Sequence, residues 1–284
     1  MKTFKLKINL KNLLILLGLI FFSFFILFPV CWLFLSALLY EKDLMLVSRG
    51  ISLPIRFTLS NFIEGISGTA GKAFIKSLIN SIIISVGSTL LAVPIGSLAA
   101  FSITKLMSPR YSNTLFNILL FLQAIPAMSV AIPIFIMIRA LGLFDTYLAL
   151  IICFTGFSSP YIAWMLIGFF EGIPNEIFES ALLDGCNIIN AYLRIMLPLT
   201  LPGLMAVSTW MFIAAWGEFL FSLLLTSSNA IPLTVTISSG IYAFYEEYSK
   251  IMAHATLAVL PPILVALLGR KYLIRGIIGG GIKG

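Results

Sequence analysis

Long uncharged apolar runs, separated by shorter polar stretches, set the plan of this chain. From 12 to 39 the sequence is almost uncharged and rich in Leu, Ile and Phe. A helix that crosses a bilayer needs roughly 20 such residues. A secretory signal would have an apolar core of only about 7–15 residues followed by a small-residue cleavage site. Neither feature is present, so 12–39 reads as an uncleaved first span. The same pattern predicts five more, over 77–103, 113–138, 147–170, 203–225 and 252–268. The connector 41–72 is mixed, with Gly50, Pro54, Gly65, Gly68 and Gly71 as breakers, and is expected to hold short helices outside the membrane. Tight turns fall at 105–110 and 139–145, and a polar, aromatic loop at 226–250. Pro94, Pro126, Pro133, Pro160, Pro261 and Pro262 are expected to kink the helices they interrupt.

Between the fourth and fifth apolar runs lies the segment 173–202, IPNEIFESALLDGCNIINAYLRIMLPLTLP, which is polar yet helical in pattern. Pro174 suits a first helical turn, where a missing N–H costs nothing. Glu176 falls near the positive end of the helix dipole. Gly185 is placed to close the helix in a left-handed conformation. Ile177, Phe178, Ala181 and Leu182 share one face, whereas Glu176, Glu179 and Asp184 fall elsewhere. A second helical pattern follows, with Ile188, Ile189, Tyr192 and Leu193 on one side, until Pro198 and Pro202 interrupt it. The apolar face of so short an element needs a cover, and a partner protein would provide one.

Glu179-Ser180-Ala181, three residues, Gly185, nine residues, then Ile195-x-Leu197-Pro198 resembles the EAA loop of ABC importer permeases in every spacing, with Ser180 where a second Ala is usual. Further segments carry the resemblance: 74–81 running into Gly87-Ser88-Thr89-Leu90 and Gly96-Ser97-Leu98-Ala99-Ala100, then Ile125-Pro126, Ile132-Pro133, Gly142-Leu143, and Trp216-Gly217-Glu218-Phe219. The ending, Arg275-Gly276, Gly279 to Gly281 and Lys283-Gly284, is similar to the tail of the maltose-permease type. The likeness covers most of the chain from Phe74 onward and is weaker before Gly71.

The resemblance implies an all-α integral membrane protein with the type I ABC importer permease fold: six transmembrane helices and a cytoplasmic coupling helix. Together with the apolar runs and the placing of basic residues, this divides the chain into a cytoplasmic N-terminus (1–11), a first span (12–39), an extracytoplasmic loop (40–73), the permease transmembrane domain (74–273) and a cytoplasmic tail (274–284). It further implies that Glu179, Ser180, Ala181, Asp184 and Gly185 serve ATPase coupling. The implied partners are a second, related permease chain, two cytoplasmic ATPase subunits and an extracytoplasmic substrate-binding protein. ATP and Mg would sit on the ATPase subunits, with no cofactor on this chain. The implied function is ATP-driven import of a mono- or oligosaccharide by alternating access. Glycerol-phosphate or another small solute is the alternative within the same architecture, and an ion-coupled secondary transporter the alternative outside it.

Composition narrows the same choice. The chain is 60% hydrophobic and 10% charged, with mean hydropathy +1.08, far from the about 25% charged residues of a soluble domain. The net charge of +7 is spread just outside the apolar runs, which marks membrane orientation rather than a nucleic-acid patch. Basic residues gather at both termini, and six spans put the termini on one side, so both are expected in the cytoplasm of a cell-membrane protein. Lys42, Arg49, Arg56 and Lys72 run against that rule. The three cysteines read as packing thiols, and no Walker-type loop, metal cluster or nucleophile–base pair is visible. Energy for transport must therefore come from another chain.

Three polar residues in or beside the spans are candidates for a translocation pathway. Glu218 is an ionisable group within an apolar run, which is a functional-site hypothesis by default; pairing with a hydroxyl or amide, or a place near the helix end in the headgroup zone, is the structural alternative. Asn80 and Gln123 could instead join helices by hydrogen bonds. His254, the only histidine, reads as a polar residue at a span end. Phe244, Tyr245, Glu246, Glu247 and Tyr248 read as an interfacial outer loop, the region that in the resembled family reaches toward the binding protein.

Overall fold

The computed structural model describes residues 10–50, 56–238 and 247–281, with backbone only at 10, 68–70 and 273–281. The basic start up to Lys7 and the outer-loop residues Phe244, Tyr245 and Glu246 lie outside the described residues. Among those described, the ordered elements are helical, apart from one isolated bridge between Leu39 and Phe57. The chain divides into two compact units, Met1–Lys72 with Tyr242–Ala258, and Ala73–Ile241 with Val259–Gly284.

The first unit begins with α1 (Leu10–Ala37), which is apolar on every side and exposed along most of its length, with only its last residues, Ser36 and Ala37, buried. A helix without a polar face is built for lipid or for a protein partner. Two short helices follow, α2 (Glu41–Ser48) and α3 (Ser60–Ile66), as the 41–72 pattern predicted. Buried Asn61 donates to the carbonyls of Ala37 and Leu39, at 2.9 and 2.8 Å, and so satisfies acceptors left over at the end of α1. The first residues of the last helix complete the unit. Ser249 donates its N–H to Glu41 (2.8 Å), Lys250 pairs with Glu64 (2.7 Å), and buried His254 meets the Gly65 carbonyl through Nε2 (2.6 Å).

The second unit holds the rest. Helix α4 (Gly68–Phe101) enters it at Ala73 and continues into a π-turn over Ser102–Leu106. Then come α5 (Pro109–Gln123), α6 (Ala127–Ala140), α7 (Tyr147–Glu171), α8 (Asn175–Leu183) and α9 (Ile188–Ala191). A second π-turn (Tyr192–Met196) leads into α10 (Leu197–Leu199), α11 (Leu201–Gly217), α12 (Leu220–Leu225) and α13 (Leu233–Ser238). The last helix, α14 (Tyr248–Gly281), belongs to this unit from Val259 onward. The core lies along α7, whose Leu150, Phe154, Ile162, Leu166 and Phe170 are buried, and which packs against α5, α11 and α12. At Gly96 a side chain would start 2.5 Å from Ile162 Cγ2, so only glycine lets α4 lie this close to α7.

Two predicted spans are corrected. The third, expected as one run over 113–138, is broken after Gln123, and α5 and α6 meet at 88°. Pro126 has no N–H to donate and disfavours helical geometry at Ile125, so the helix stops and Pro126 caps the next one. The fifth, expected over 203–225, ends at Gly217, and α12 starts afresh at Leu220. Among the described residues four helices are long and apolar enough to cross a membrane, and six spans result if each of two bent pairs counts as one. The second bent pair, Ile188–Leu199 with Leu201–Gly217, meets at 78°.

Candidate functional site

The segment 173–202 forms a helix, a sharp reversal and a second helical stretch, built by local signals. Pro174 stands one position earlier than expected, as the extended residue before α8. Gly185 adopts φ +90°, the left-handed conformation its type favours. The Cys186 N–H reaches the Ala181 carbonyl (3.0 Å) and the Gly185 N–H that of Leu182 (3.1 Å). This pair of bonds is the Schellman closure, which satisfies the orphan carbonyls of α8. Two residues later Asn187 restarts the helix by accepting the Asn190 N–H at 2.8 Å.

Only part of the expected apolar face of α8 is covered. Phe178 and Ala181 are buried, whereas Ile177 and Leu182 stay exposed and Leu183 is 88% exposed. Glu179, Ser180, Asp184 and Gly185 are exposed as well. Ser180, Ala181 and Asp184 come together with Glu176, Ile177 and Ile195 around a concavity of about 350 Å³. Glu179 lies outside that lining. The helix thus offers acidic groups and uncovered aliphatic side chains together on a closely turned surface.

What holds this element was missed in the sequence. Phe178 packs edge-on against Phe101, the hub of a ring cluster: Phe101 lies 5.5 Å from Phe178, 5.9 Å from Phe170 and 4.9 Å from Tyr192, ring centre to ring centre. The Tyr192 hydroxyl and Ser97 Oγ are 2.9 Å apart. Lys105 Nζ donates to the Ile173 carbonyl and to Asn175 Oδ1, both at 2.7 Å. The end of α4 and its π-turn therefore grip α8 at its start and the second helical stretch at Tyr192. An apolar groove of about 560 Å³, lined among others by Leu98, Ile189, Leu193 and Leu204, runs beside that grip. A lone lysine after an apolar run was the available signal, but its carbonyl partner is 68 residues away and left no local trace.

Toward the start of α4 a second constellation gathers. Asn80, 2% exposed, donates to the carbonyls of Asn229 (3.0 Å) and Ile231 (2.9 Å) and accepts from the Tyr147 hydroxyl (2.8 Å). Ser81 accepts the Leu233 N–H, Ser77 lies 2.6 Å from Thr236, and Lys76 donates to the Ser228 carbonyl. Asp145, in the turn before α7 with φ +60°, accepts the N–H groups of Ser227, Ser228, Asn229 and Ala230, together with two serine hydroxyls. Partial burial pushes the Asp145 carboxyl up, but these backbone donors together outweigh it and hold it well below the ordinary carboxylate range. Thr146 then caps α7 through the Ala149 N–H. An acid followed by Thr before an apolar run signals the cap, not the distant loop.

The other two pathway candidates sit at the two interruptions. Gln123 is the last residue of α5, exposed, with Nε2 turned to the Leu119 carbonyl of its own helix at 3.3 Å. Glu218 is extended at the break after α11. Its carboxylate accepts the N–H groups of Phe221 (2.9 Å) and Ser222 (3.1 Å), and its carbonyl accepts from Thr234 (3.0 Å). That side chain replaces the carbonyls a continuous helix would have supplied, which explains why the run breaks at an acid without a proline. The structure thus places Gln123 and Glu218 at separate helix ends and Asn80 in the loop clamp.

Comparison with known proteins places this arrangement. A model of binding-protein-dependent transport system inner membrane components matches residues 92–279. The chain is 32% identical to the trehalose transport system permease protein of Mycobacterium tuberculosis, over 91% of this chain and 93% of that protein. It is 30% identical to the trehalose/maltose transport system permease protein of Thermococcus litoralis, over 97% and 98%. It is also 30% identical to the sulfoquinovosyl glycerol permease of Agrobacterium fabrum, over 91% and 89%. In fold it is similar to a chain of a bacterial ABC transporter involved in alginate import, with a TM-score of 0.78 at 20% identity over 96% and 99% of the two chains. With an all-helical architecture, a helix carrying the EAA register and a family match over most of its length, the chain belongs to the binding-protein-dependent transport system inner membrane components, as an ABC transporter permease.

Proposed function

We propose that this permease imports a sugar, and that α8 is the helix on which a separate ATPase subunit docks. The observation that carries the docking is the Schellman-closed α8, with Glu179, Ser180 and Asp184 exposed beside uncovered Leu182 and Leu183. The sugar reading is supported by relatives named for trehalose, maltose and sulfoquinovosyl glycerol. ATP and Mg belong on two ATPase subunits, a second permease chain completes the membrane part, and a binding protein delivers the ligand outside. The terminal basic clusters favour both termini, and with them α8, in the cytoplasm.

Glu179 offers a carboxylate to a basic or hydroxyl group of the ATPase, Ser180 and Ala181 allow close approach, and Gly185 sets the turn. Asp184 extends the acidic rim. When the ATPase subunits close on ATP, α8 moves with them, and the bundle swings between inward and outward access. Gln123 and Glu218 belong to the pathway in this reading. Interrupted helices are tolerated at membrane depth only where protein or a water-filled cavity surrounds the break. The part of Asn80 is to hold the 226–238 segment that borders the pathway.

The test is uptake of radiolabelled trehalose and maltose into vesicles carrying the chain with its co-purified partners. ATP-dependent uptake that persists when ionophores collapse the ion gradients is the expected result. Uptake that follows an ion gradient without ATP would contradict the reading, as would ATP-dependent uptake of a solute with which no sugar competes.

A further inference from the structure

We propose that α4 is the rod that transmits movement of α8 to the 226–238 segment, with Lys105 as the positioning residue at one end and Asn80 at the other. This rests on the docking reading above and goes beyond it. Two places are bonded to the elements in question: the end of α4 with the π-turn that follows it, and the stretch from Ser77 to Ser81. At one end Lys105 holds the Ile173 carbonyl and Asn175 at 2.7 Å, while Tyr192 bonds Ser97 and stacks on Phe101. At the other, Asn80 holds two carbonyls of the 226–238 segment, Ser81 takes the Leu233 N–H, and Ser77 meets Thr236. The stretch between Asn80 and Lys105 is roughly 35–40 Å long at ~1.5 Å of rise per residue.

The two ends differ in a way that suits transmission. Lys105 lies inside a π-turn, and Tyr192 opens a second one. Such turns interrupt the regular helix ladder and recur at functional sites. The ammonium of Lys105 bonds one backbone carbonyl and one amide oxygen, and Glu171 and Glu176 also act on it electrostatically. A pull on the start of α8 is therefore passed to α4 through charge-assisted bonds. At the far end the side-chain amide of Asn80 donates to two backbone carbonyls while its oxygen is held by the Tyr147 hydroxyl, so a shift of α4 acts on the chain path of 226–238 directly.

The experiment uses the complex purified with its ATPase in lipid nanodiscs, with ATP plus vanadate as the probe and backbone amide exchange as the readout. In the wild type, the nucleotide changes exchange both in α8 and across 226–238. In Lys105→Met the change in α8 remains, while that across 226–238 falls on the order of tenfold. Lys105→Arg restores it. Asn80→Leu likewise uncouples 226–238 and leaves α8 responsive. Full transmission in Lys105→Met overturns the proposal, as does failure of Lys105→Arg to restore it. If Lys105→Met does not assemble, Asn175→Ala, which removes one of the two acceptors, must show the same selective loss or the proposal falls. A wild type that carries no ATPase would fail the docking reading first and remove this one with it.

Discussion

The 226–238 segment and the 173–202 element are both anchored on α4, by opposite means. Around 226–238, Asp145, Asn80, Ser81 and Lys76 make directional bonds to backbone groups, Asn80 and Ser81 from buried positions and Asp145 and Lys76 from nearer the surface. The 173–202 element relies on packed rings, one tyrosine–serine bond and one lysine, and leaves acidic and aliphatic groups uncovered. Directional bonds to backbone fix a chain path. Packed rings and a single ammonium hold a body while letting it pivot, and uncovered groups invite a partner. The contrast separates a segment shaped to keep its geometry from one shaped to be moved.

Substitutions at each anchor sharpen that contrast, and the largest effect is expected at Phe178. Phe178→Ala removes the buried ring by which α8 packs on Phe101 and should cost about 3–5 kcal/mol, read as an earlier thermal unfolding in detergent with loss of bound ATPase. Asp145→Ala leaves four backbone N–H groups without their charged acceptor and should cost about 2–3 kcal/mol. Its signature is local, with faster amide exchange at 227–230 and unchanged ATPase binding.

The charge of Asp145 also gives that anchor a pH signature. Its folded carboxyl titrates below the ordinary value of about 3.9, so its stabilisation is fully present above that pH and fades as the pH falls through the lowered folded value. The stability difference between the wild type and Asp145→Asn should therefore be flat from about pH 8 to 5 and shrink only below about 4. A difference that varies between pH 6 and 8 would show that another group governs the clamp.

Gly185→Val forces a branched side chain into a left-handed position, at a cost of about 1–2 kcal/mol or more. Its effect on ATPase binding should exceed its effect on unfolding, because the turn orients α8 rather than the core. Tyr192→Phe, which keeps the ring and removes one hydrogen bond, should cost only about 0.5–1.5 kcal/mol. A cost as large as that of Phe178→Ala would mean that the element is held mainly by polar bonds, against the contrast drawn above.

Legibility in the sequence followed the same division. Gly185 and the apolar residues of α8 act through neighbours a few positions away, so their spacing announced the turn and the exposed helix, whereas the Asn187 cap was read only from the structure. Pro126 carried its break openly, yet the apolar run across it masked the 88° bend. The stop at Glu218 was hidden because a carboxylate can cap the helix that follows it or lie within one, and composition does not distinguish the two. Lys105, Asp145 and the bond between Ser97 and Tyr192 depend on partners 68 to 95 residues away. No local pattern encodes such pairings; those of Lys105 and Ser97 belong to the end of α4 that lies close against α7 at Gly96.

The central claim is that α8 is an ATPase-docking helix, and co-purification tests it most directly. The wild-type chain and Glu179→Lys would be isolated from native membranes in mild detergent, with bound ATPase quantified against the permease chain. Glu179 is exposed, so the reversal of charge should leave folding intact, as thermal unfolding would verify. ATPase retained by the wild type and lost from Glu179→Lys is the predicted result. Equal ATPase on both chains, or none on the wild type, would contradict the account.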